Sequence, residues 1–267
     1  MNLRLVLTLS LLLPLMAACS KPNEAPEAAA PAAETAAPAT TAPAEPAADS
    51  ETPAATADEA AAEPAAPAAA IAPPSGPAPV PGVDYTVIQN GQPFAPLNGK
   101  IEVVEVFGYT CGGCAQFEPV VKSWKRRLPA DVRFTPVPAA FGGYWVPYAR
   151  AYWAAESMGV VDKTHDAMFN AVHVQRSLPV QGVTPEQFGQ FYAKYGVDAK
   201  TFISTYNSFG LEAKLGRGKS FAVASRIEST PTLVVNGKYT VSVGETGGYE
   251  KMLNTVEHLI AQERSAQ

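Results

Sequence analysis

Cysteine, histidine and runs of basic residues are all scarce in this 267-residue sequence, and their scarcity excludes several classes of protein. There are three cysteines and three histidines. A zinc site takes four ligands, and the sequence has no second cysteine pair beside Cys111 and Cys114. No basic run is longer than Lys125-Arg126-Arg127, so the electrostatic signature of a nucleic-acid-binding protein is missing. We therefore expect no metal site and no nucleic-acid partner.

Aromatic residues are absent before Tyr85, although the chain contains 3 Trp, 10 Tyr and 11 Phe. Residues 20–80 consist mainly of alanine and proline, with several acidic residues and a single lysine. Proline removes backbone donors and interrupts helices, and without aromatics this stretch has little to bury. We predict a disordered Ala/Pro/Glu tether over residues 19–82. The remainder is long enough for one ordinary domain.

Residues 1–18 have the pattern of an export signal. Arg4 precedes an apolar run, Leu5 to Met16, that is too short to span a bilayer, and two alanines stand directly before Cys19. The pattern resembles the signal peptide of bacterial lipoproteins, in which the cysteine is lipidated and becomes the mature N-terminus. The alternative is ordinary cleavage that leaves Cys19 as a free thiol. Either outcome places the chain in an oxidising compartment.

The folded part alternates strand and helix patterns, which predicts an α/β fold. Ile101–Phe107 is a β-branched run of strand length that is apolar on both faces, as central strands are. The sequence Thr184-Pro185-Glu186-Gln187 predicts a capped helix start with proline in the first turn. In chain order the predicted elements are strands at 85–88 and 101–107, a helix with Phe117, Val120, Val121, Trp124 and Leu128 on one face, and a strand at 132–137. Helices within 144–225 follow, then a hairpin of 232–235 and 238–241 around Asn236-Gly237, and a last helix with Met252, Leu253, Val256, Leu259 and Ile260 on one face.

The segment Cys111-Gly112-Gly113-Cys114 follows the central strand at the point where a helix is predicted to begin. Two thiols separated by two residues can close a small disulfide ring. At a helix N-terminus the first thiol meets the positive end of the helix dipole and unpaired amide donors, which stabilise its thiolate. We predict a redox-active pair. A structural disulfide and half of a metal site are the alternatives.

The surroundings of this pair resemble the thioredoxin superfamily and, within it, the DsbA-like thiol:disulfide oxidoreductases. The resemblance rests on residues 105–114 (EVFGYTCGGC) with Phe117-Glu118-Pro119, and on residues 230–239 (TPTLVVNGKY). It implies a thioredoxin fold formed by residues 83–140 and 226–264, with a helical domain inserted over residues 141–225.

The resemblance also implies roles for particular residues. Cys111 would be the exposed nucleophile, and Cys114 would resolve the mixed disulfide. Pro231 would follow a cis peptide bond and face the cysteines, while the backbone of Thr230 would pair with an extended substrate; a trans proline at the start of a strand is the alternative. Glu105 would be a buried proton acceptor for Cys114, because burial raises the pKa of a carboxyl group. The alternative for Glu105 is a strand-end residue that reaches solvent.

These roles predict a protein disulfide oxidoreductase that donates its Cys111–Cys114 disulfide to unfolded exported proteins. The protein would be periplasmic and anchored through a lipid on Cys19 to the inner or outer membrane. The resemblance implies a DsbB-like membrane protein as its reoxidant and no metal or organic cofactor, and we expect a monomer. The alternatives are an envelope reductase or isomerase, and a non-catalytic copper chaperone that uses the two thiols.

One departure from the family pattern concerns the residues between the cysteines. Strongly oxidising relatives carry Pro-His there, whereas this chain has Gly112-Gly113, so we expect a weaker oxidant. Thr230 also resembles the residue before the proline in isomerases and reductases more than the valine of many oxidases.

Two further groups of side chains are predicted to have ordinary structural roles. An aromatic cluster early in the helical block is predicted to belong mainly to the core; the alternative is an apolar patch beside the active site that binds unfolded substrates. His165 and His173 lie eight residues apart, a spacing that suits no shared ligand on one helix face, and both are predicted to be ordinary polar positions. The cluster comprises Tyr144, Trp145, Tyr148, Tyr152 and Trp153.

Overall fold

The computed structural model of the protein describes residues 74–267. The predicted signal peptide, Cys19 and the predicted tether up to residue 73 lie outside the described residues. Over residues 74–267, no helix combines the length and the apolar character needed to cross a membrane.

Strands and helices alternate in the order that the sequence pattern predicts. Within the described residues the elements are β1 (Thr86–Val87), β2 (Ile101–Phe107), α1 (Gly112–Lys125), β3 (Val132–Pro138), α2 (Trp145–Ser157), α3 (Val161–Phe169), a π-helical turn (Asn170–Val174), α4 (Pro185–Ala193), α5 (Ala199–Tyr206), α6 (Phe209–Ala224), β4 (Thr232–Val235), β5 (Tyr239–Ser242), α7 (Val243–Thr246) and α8 (Tyr249–Ser265).

The strands form one mixed sheet with the order β1-β5-β4-β2-β3. β2 pairs in parallel with β3 and antiparallel with β4, so it is an internal strand that joins β3 to the antiparallel part of the sheet. The β4–β5 hairpin turns at Asn236 and Gly237, which both have positive φ (47° and 67°). The N–H of Lys238 donates to the carbonyl of Val235 at 2.8 Å, the closure of a type I′ turn. β5 begins at Tyr239, one residue later than predicted.

Alternation along β2 divides its side chains between two hydrophobic cores. Val104 and Val106 belong to a core shared with the helices inserted between β3 and β4. Ile101 and Val103 belong to a second core, on the face covered by α1 and α8. This alternation is the ordinary period of a strand. Each fully buried valine or isoleucine contributes about 1.5–3 kcal/mol, which explains why β2 is apolar on both faces.

Helix α1 contributes to both cores. Cys114, in its first turn, lies in the core on the side of the inserted helices. Phe117, Val121 and Trp124, further along α1, lie in the core shared with α8. The buried face of α8 is the one predicted, because Met252, Leu253, Val256, Leu259 and Ile260 are all buried there.

The helical segment runs from α2 to α6, between β3 and β4. α4 begins with the predicted capping box, in which the Thr184 hydroxyl accepts from the Gln187 N–H at 3.3 Å and the Gln187 side chain accepts from the Thr184 N–H at 2.9 Å. Of the aromatic cluster, Tyr148, Tyr152 and Trp153 are buried, whereas Tyr144 is exposed and Trp145 is partly exposed.

A buried acid, Glu102, fixes the segment that leads into β2. Its carboxylate accepts hydrogen bonds from the N–H groups of Phe94 (2.6 Å) and Ala95 (3.2 Å) and pairs with Arg133 at 2.8 Å. A buried carboxylate with this many partners is stable. Its role here is structural.

Candidate active site

Cys111 is the N-cap residue of α1, directly after the loop that leaves β2. Its backbone is extended (φ −87°, ψ 116°), and its Sγ accepts a hydrogen bond from the N–H of Cys114 at 3.2 Å. This is the bond that N-cap side chains make to free amides of the first turn. Both cysteines are free thiols; Cys111 is partly exposed and Cys114 is buried. Cys111 is therefore accessible to solvent, whereas Cys114 is not.

The two thiols differ in acidity. A hydrogen bond from the Cys114 thiol is the largest cause that lowers the pKa of Cys111, to about 6; the Thr230 side chain and the amides of Cys114 and Gly113 act in the same direction, against the effect of burial. Burial raises the pKa of Cys114, and its hydrogen bond and charge interaction with Cys111 raise it further. At neutral pH Cys111 is therefore mainly thiolate, whereas Cys114 remains protonated.

Thr230 and Pro231 approach the cysteines from the start of β4. The Thr230–Pro231 peptide bond is cis, the isomer that the family resemblance implies. The Cys111 thiol donates to the Thr230 carbonyl at 3.4 Å. A Cβ atom placed on Gly113 would lie 3.5 Å from Pro231 Cδ, so the proline ring faces the turn between the cysteines. Four predicted site residues thus lie together although more than a hundred positions separate the two pairs in sequence.

Glu105 lies in the middle of β2 and is 2 % exposed, not at a solvent-facing strand end. By strand alternation it shares a face with Val103, the face that α1 covers. Burial raises its pKa well above the usual carboxyl range, and the charges of Glu118 and Cys111 act in the same direction. Both effects favour the protonated form of Glu105. Its role in proton transfer stays a prediction.

A hydrogen-bonded chain of three side chains lies behind the cysteine loop. The Tyr109 hydroxyl is 2.8 Å from His165 Nδ1, and His165 Nε2 is 3.3 Å from a Glu118 carboxylate oxygen. His173 Nε2 is 2.8 Å from the Tyr109 carbonyl. Both histidines thus have structural roles, and the sequence pattern does not indicate these particular hydrogen bonds. Their rings pack with Tyr109 and Phe169 under the active-site loop, and no sequence signal connects Tyr109 with residues more than fifty positions away.

An aromatic patch borders the same loop. A Cβ atom on Gly108 would lie 2.1 Å from the Trp145 ring, so only glycine allows Trp145 to pack this closely at the end of β2. Phe141 and Tyr144 pack against Trp145, with ring centroids at 5.2 and 5.8 Å. Phe141 is 46 % and Tyr144 39 % exposed. The patch of Phe141, Tyr144 and Trp145 is therefore an apolar surface beside the loop that leads to Cys111.

Individual relatives match this chain closely, although no protein-family model matches it. Thiol:disulfide interchange protein DsbA of Pseudomonas aeruginosa is 41% identical over 185 residues, which is 69% of this chain and 86% of that protein. The protein of the same name from Azotobacter vinelandii is 43% identical over 70% of this chain and 85% of its own length. The crystal structure of oxidoreductase DsbA from Xylella fastidiosa matches with a TM-score of 0.68 and 46% identity, over 70% of this chain and 98% of that one.

Fold and relatives together define the class of the protein as a thiol:disulfide oxidoreductase with a thioredoxin fold into which helices are inserted. At this identity and coverage, the chain belongs to the DsbA family of thiol:disulfide interchange proteins. The predicted α/β thioredoxin fold and the predicted enzyme class, protein disulfide oxidoreductase, are confirmed.

Proposed function

We propose that the chain forms disulfide bonds in other proteins by donating the disulfide of Cys111 and Cys114. The observation that carries this proposal is the contrast in acidity between the two thiols. The pKa of Cys111 lies at about 6, whereas burial raises that of Cys114. A thiol of low pKa is a good leaving group, so a substrate held on Cys111 is released readily. Stabilising the thiolate also favours the reduced enzyme, which drives disulfide transfer outward.

Each turnover transfers two electrons to the enzyme. Of the two protons that the substrate thiols lose, one goes to Cys114 and the other to solvent. A substrate thiolate attacks Cys111 Sγ of the oxidised enzyme, the S–S bond breaks, and Cys114 Sγ takes the electron pair and a proton. A second substrate thiolate then attacks the substrate sulfur of the mixed disulfide, which forms the substrate disulfide and releases the Cys111 thiolate. The enzyme is reduced by two electrons and the substrate dithiol is oxidised by the same two.

Glu105 is proposed as the proton carrier for Cys114. The raised pKa of this buried carboxyl favours its protonated form, which can supply a proton when Cys114 leaves. In reoxidation the direction is reversed, and Glu105 accepts the proton as Cys114 becomes a nucleophile. Thr230 and Pro231, which face the cysteines, are proposed to hold an extended substrate segment. The apolar patch at Phe141, Tyr144 and Trp145 supports unfolded chains as substrates, because they expose apolar side chains.

The proposed setting is the periplasm, where exported proteins fold under oxidising conditions. The signal pattern of residues 1–18 supports export, and Cys19 after two alanines supports a lipid anchor. A DsbB-like membrane protein is the proposed reoxidant, and the enzyme is proposed to act as a monomer without metal or organic cofactor, because the cysteine pair carries both electrons. Labelling with a radioactive fatty acid tests the anchor: Cys19→Ser is expected to abolish incorporation, and label retained by this variant excludes it.

The direction of transfer is tested by two assays on the same preparations. Oxidation of a reduced, unfolded model protein is compared with reduction of insulin, for wild type and for Cys111→Ala. We expect wild type to be effective in the first assay and Cys111→Ala to be inactive in both. Cys114→Ala is the matched variant, which we expect to accumulate the mixed disulfide. Activity that survives in Cys111→Ala excludes the mechanism, and a wild type that only reduces insulin favours a reductase.

A further inference from the structure

The peptide unit between Gly113 and Cys114 is hydrogen-bonded at both ends. Its N–H, from Cys114, donates to Cys111 Sγ at 3.2 Å. Its carbonyl, from Gly113, accepts from the hydroxyl of Tyr249 at 2.9 Å. Tyr249 is the first residue of α8, 138 positions after Cys111 in the chain. A continuous chain of hydrogen bonds therefore runs from the phenol, through one peptide group, to the reactive sulfur.

Hydrogen bonds in such a chain strengthen one another. A donor on the carbonyl oxygen draws electron density through the amide, so the N–H at the other end becomes a better donor. This cooperative effect amounts to about 10–30 % of a bond. The N–H here points at a sulfur that is ionised at neutral pH, and hydrogen bonds to charged groups contribute about 1.5–3 kcal/mol.

We propose that Tyr249 is a positioning residue that tunes the redox chemistry of Cys111 by holding and polarising the Gly113–Cys114 peptide group. This inference rests on the proposed role of Cys111 as the reactive thiol and adds a residue that the sequence pattern did not indicate. The phenol acts without contacting a substrate.

Gly112 and Gly113 carry no side chain, and a Cβ atom at residue 112 would meet nothing within 4 Å, so these two residues make no side-chain contacts of their own that hold the peptide group. Tyr249 is itself held in place, since its ring packs on buried Phe117 with centroids 5.1 Å apart.

The phenol also stays neutral beside the sulfur. Burial raises the pKa of Tyr249, and the charges of Cys114 and Cys111 raise it further. A phenol that remains protonated keeps the proton it donates to Gly113.

The test is Tyr249→Phe, which removes the hydroxyl and retains the ring. The pKa of Cys111 is measured in the reduced protein from the ultraviolet absorbance of its thiolate, and the redox equilibrium is measured against glutathione. We expect the pKa of Cys111 to rise by about 0.2–0.6 units and the equilibrium to move about 1.5- to 4-fold away from the reduced form. The thiolate titration does not depend on the direction of catalysis, so its failure is distinguishable from failure of the proposed function.

Tyr239→Phe is the matched control. The Tyr239 hydroxyl also binds α8, donating to Glu263 at 3.1 Å near the opposite end of the helix, so this variant also removes a tyrosine hydrogen bond to α8 but does not touch Gly113. We expect the pKa of Cys111 to be unchanged in it. An equal shift in both variants, or no shift in Tyr249→Phe, overturns the proposal.

Replacement of Tyr249 by 3-fluorotyrosine separates polarisation from mere packing. Its phenol is more acidic and therefore a stronger donor, and the ring is almost unchanged in size. We expect the pKa of Cys111 to fall below the wild-type value, opposite in sign to the effect of Tyr249→Phe. An unchanged or raised pKa contradicts the polarisation argument.

Discussion

The effect of the missing histidine between the cysteines can be measured by restoring it, as Gly113→His. A Cβ atom at residue 113 would lie 3.7 Å from Cys111 Sγ, 3.5 Å from Pro231 Cδ and 3.7 Å from the Thr230 carbonyl oxygen. These are ordinary van der Waals separations. Residue 113 also has no positive φ. The Cβ atom of the new side chain therefore fits without moving the backbone, and the effect that we expect from the ring is electrostatic.

The magnitude follows from the distance. An imidazolium whose charge lies roughly 5 Å from the thiolate interacts with it by about 3 kcal/mol at an effective dielectric constant of 20. Partial exposure of Cys111 reduces this to about 1.5–3 kcal/mol. The pKa of Cys111 is therefore expected to fall by about 1–2 units. Because the reduced form gains this stabilisation, the reduction potential is expected to rise by about 30–60 mV.

Equilibration with glutathione at known ratios measures the potential, and thiolate absorbance measures the pKa of Cys111. Gly113→Ala is the control, because it adds the Cβ atom without the charge and also removes the conformational freedom of glycine. A potential for Gly113→His equal to that of wild type, or a shift that Gly113→Ala reproduces in full, would refute the electrostatic reasoning.

Three further predictions concern stability. The pKa of Cys111 is lowered from 9.0 to about 6, so the stability that the Cys111 thiolate contributes to the reduced form is complete above pH 9 and is lost as the pH falls through about 6. Denaturant unfolding of both forms is expected to show the reduced form losing a few kcal/mol relative to the oxidised form over this range. A difference between the two forms that does not depend on pH contradicts this prediction. Because burial raises the pKa of Glu105, ionisation of this carboxyl opposes folding as the pH rises. Glu105→Gln is therefore expected to raise the melting temperature by about 2–8 °C at neutral pH but not at pH 4. An equal gain in melting temperature at both pH values contradicts the argument. His165→Phe leaves the buried Tyr109 hydroxyl without its partner and is expected to lower the free energy of unfolding by about 1–3 kcal/mol. Adding Tyr109→Phe in a double variant should recover part of this loss. Losses that simply add in the double variant would contradict the pairing of the two side chains.

The central strand and the hairpin could be predicted because their signals are local. Ile101–Phe107 has the composition of a strand buried on both faces, and Asn236-Gly237 supplies the two positive φ angles that a type I′ turn requires. The cysteine pair carries its own signal in its spacing. The position of Pro231 opposite the cysteines is predicted only by the family resemblance, because no local pattern indicates that residue 231 lies near residue 113.

The side chains behind the loop could not be predicted because their contacts are long-range. His173 reaches the Tyr109 carbonyl from the π-helical turn at Asn170–Val174, which changes the helical phase after α3 and has no composition signal. Tyr249 begins α8 and contacts Gly113 only once the sheet and α1 are assembled. Glu102 and Glu105 look alike in the sequence, yet one is paired with Arg133 and two amides, whereas burial raises the pKa of the other.

Helix α1 has its sulfur in one core and its apolar face in the other, so the oxidation state of the protein is linked to the local stability of both layers. A bond between residues 111 and 114 restrains the first turn of this helix, and its reduction removes the restraint. Amide hydrogen exchange should therefore respond to reduction in α8 as well as in the inserted helices. A partner protein bound to either face of the sheet could then distinguish the oxidised enzyme from the reduced enzyme without contacting the sulfur atoms.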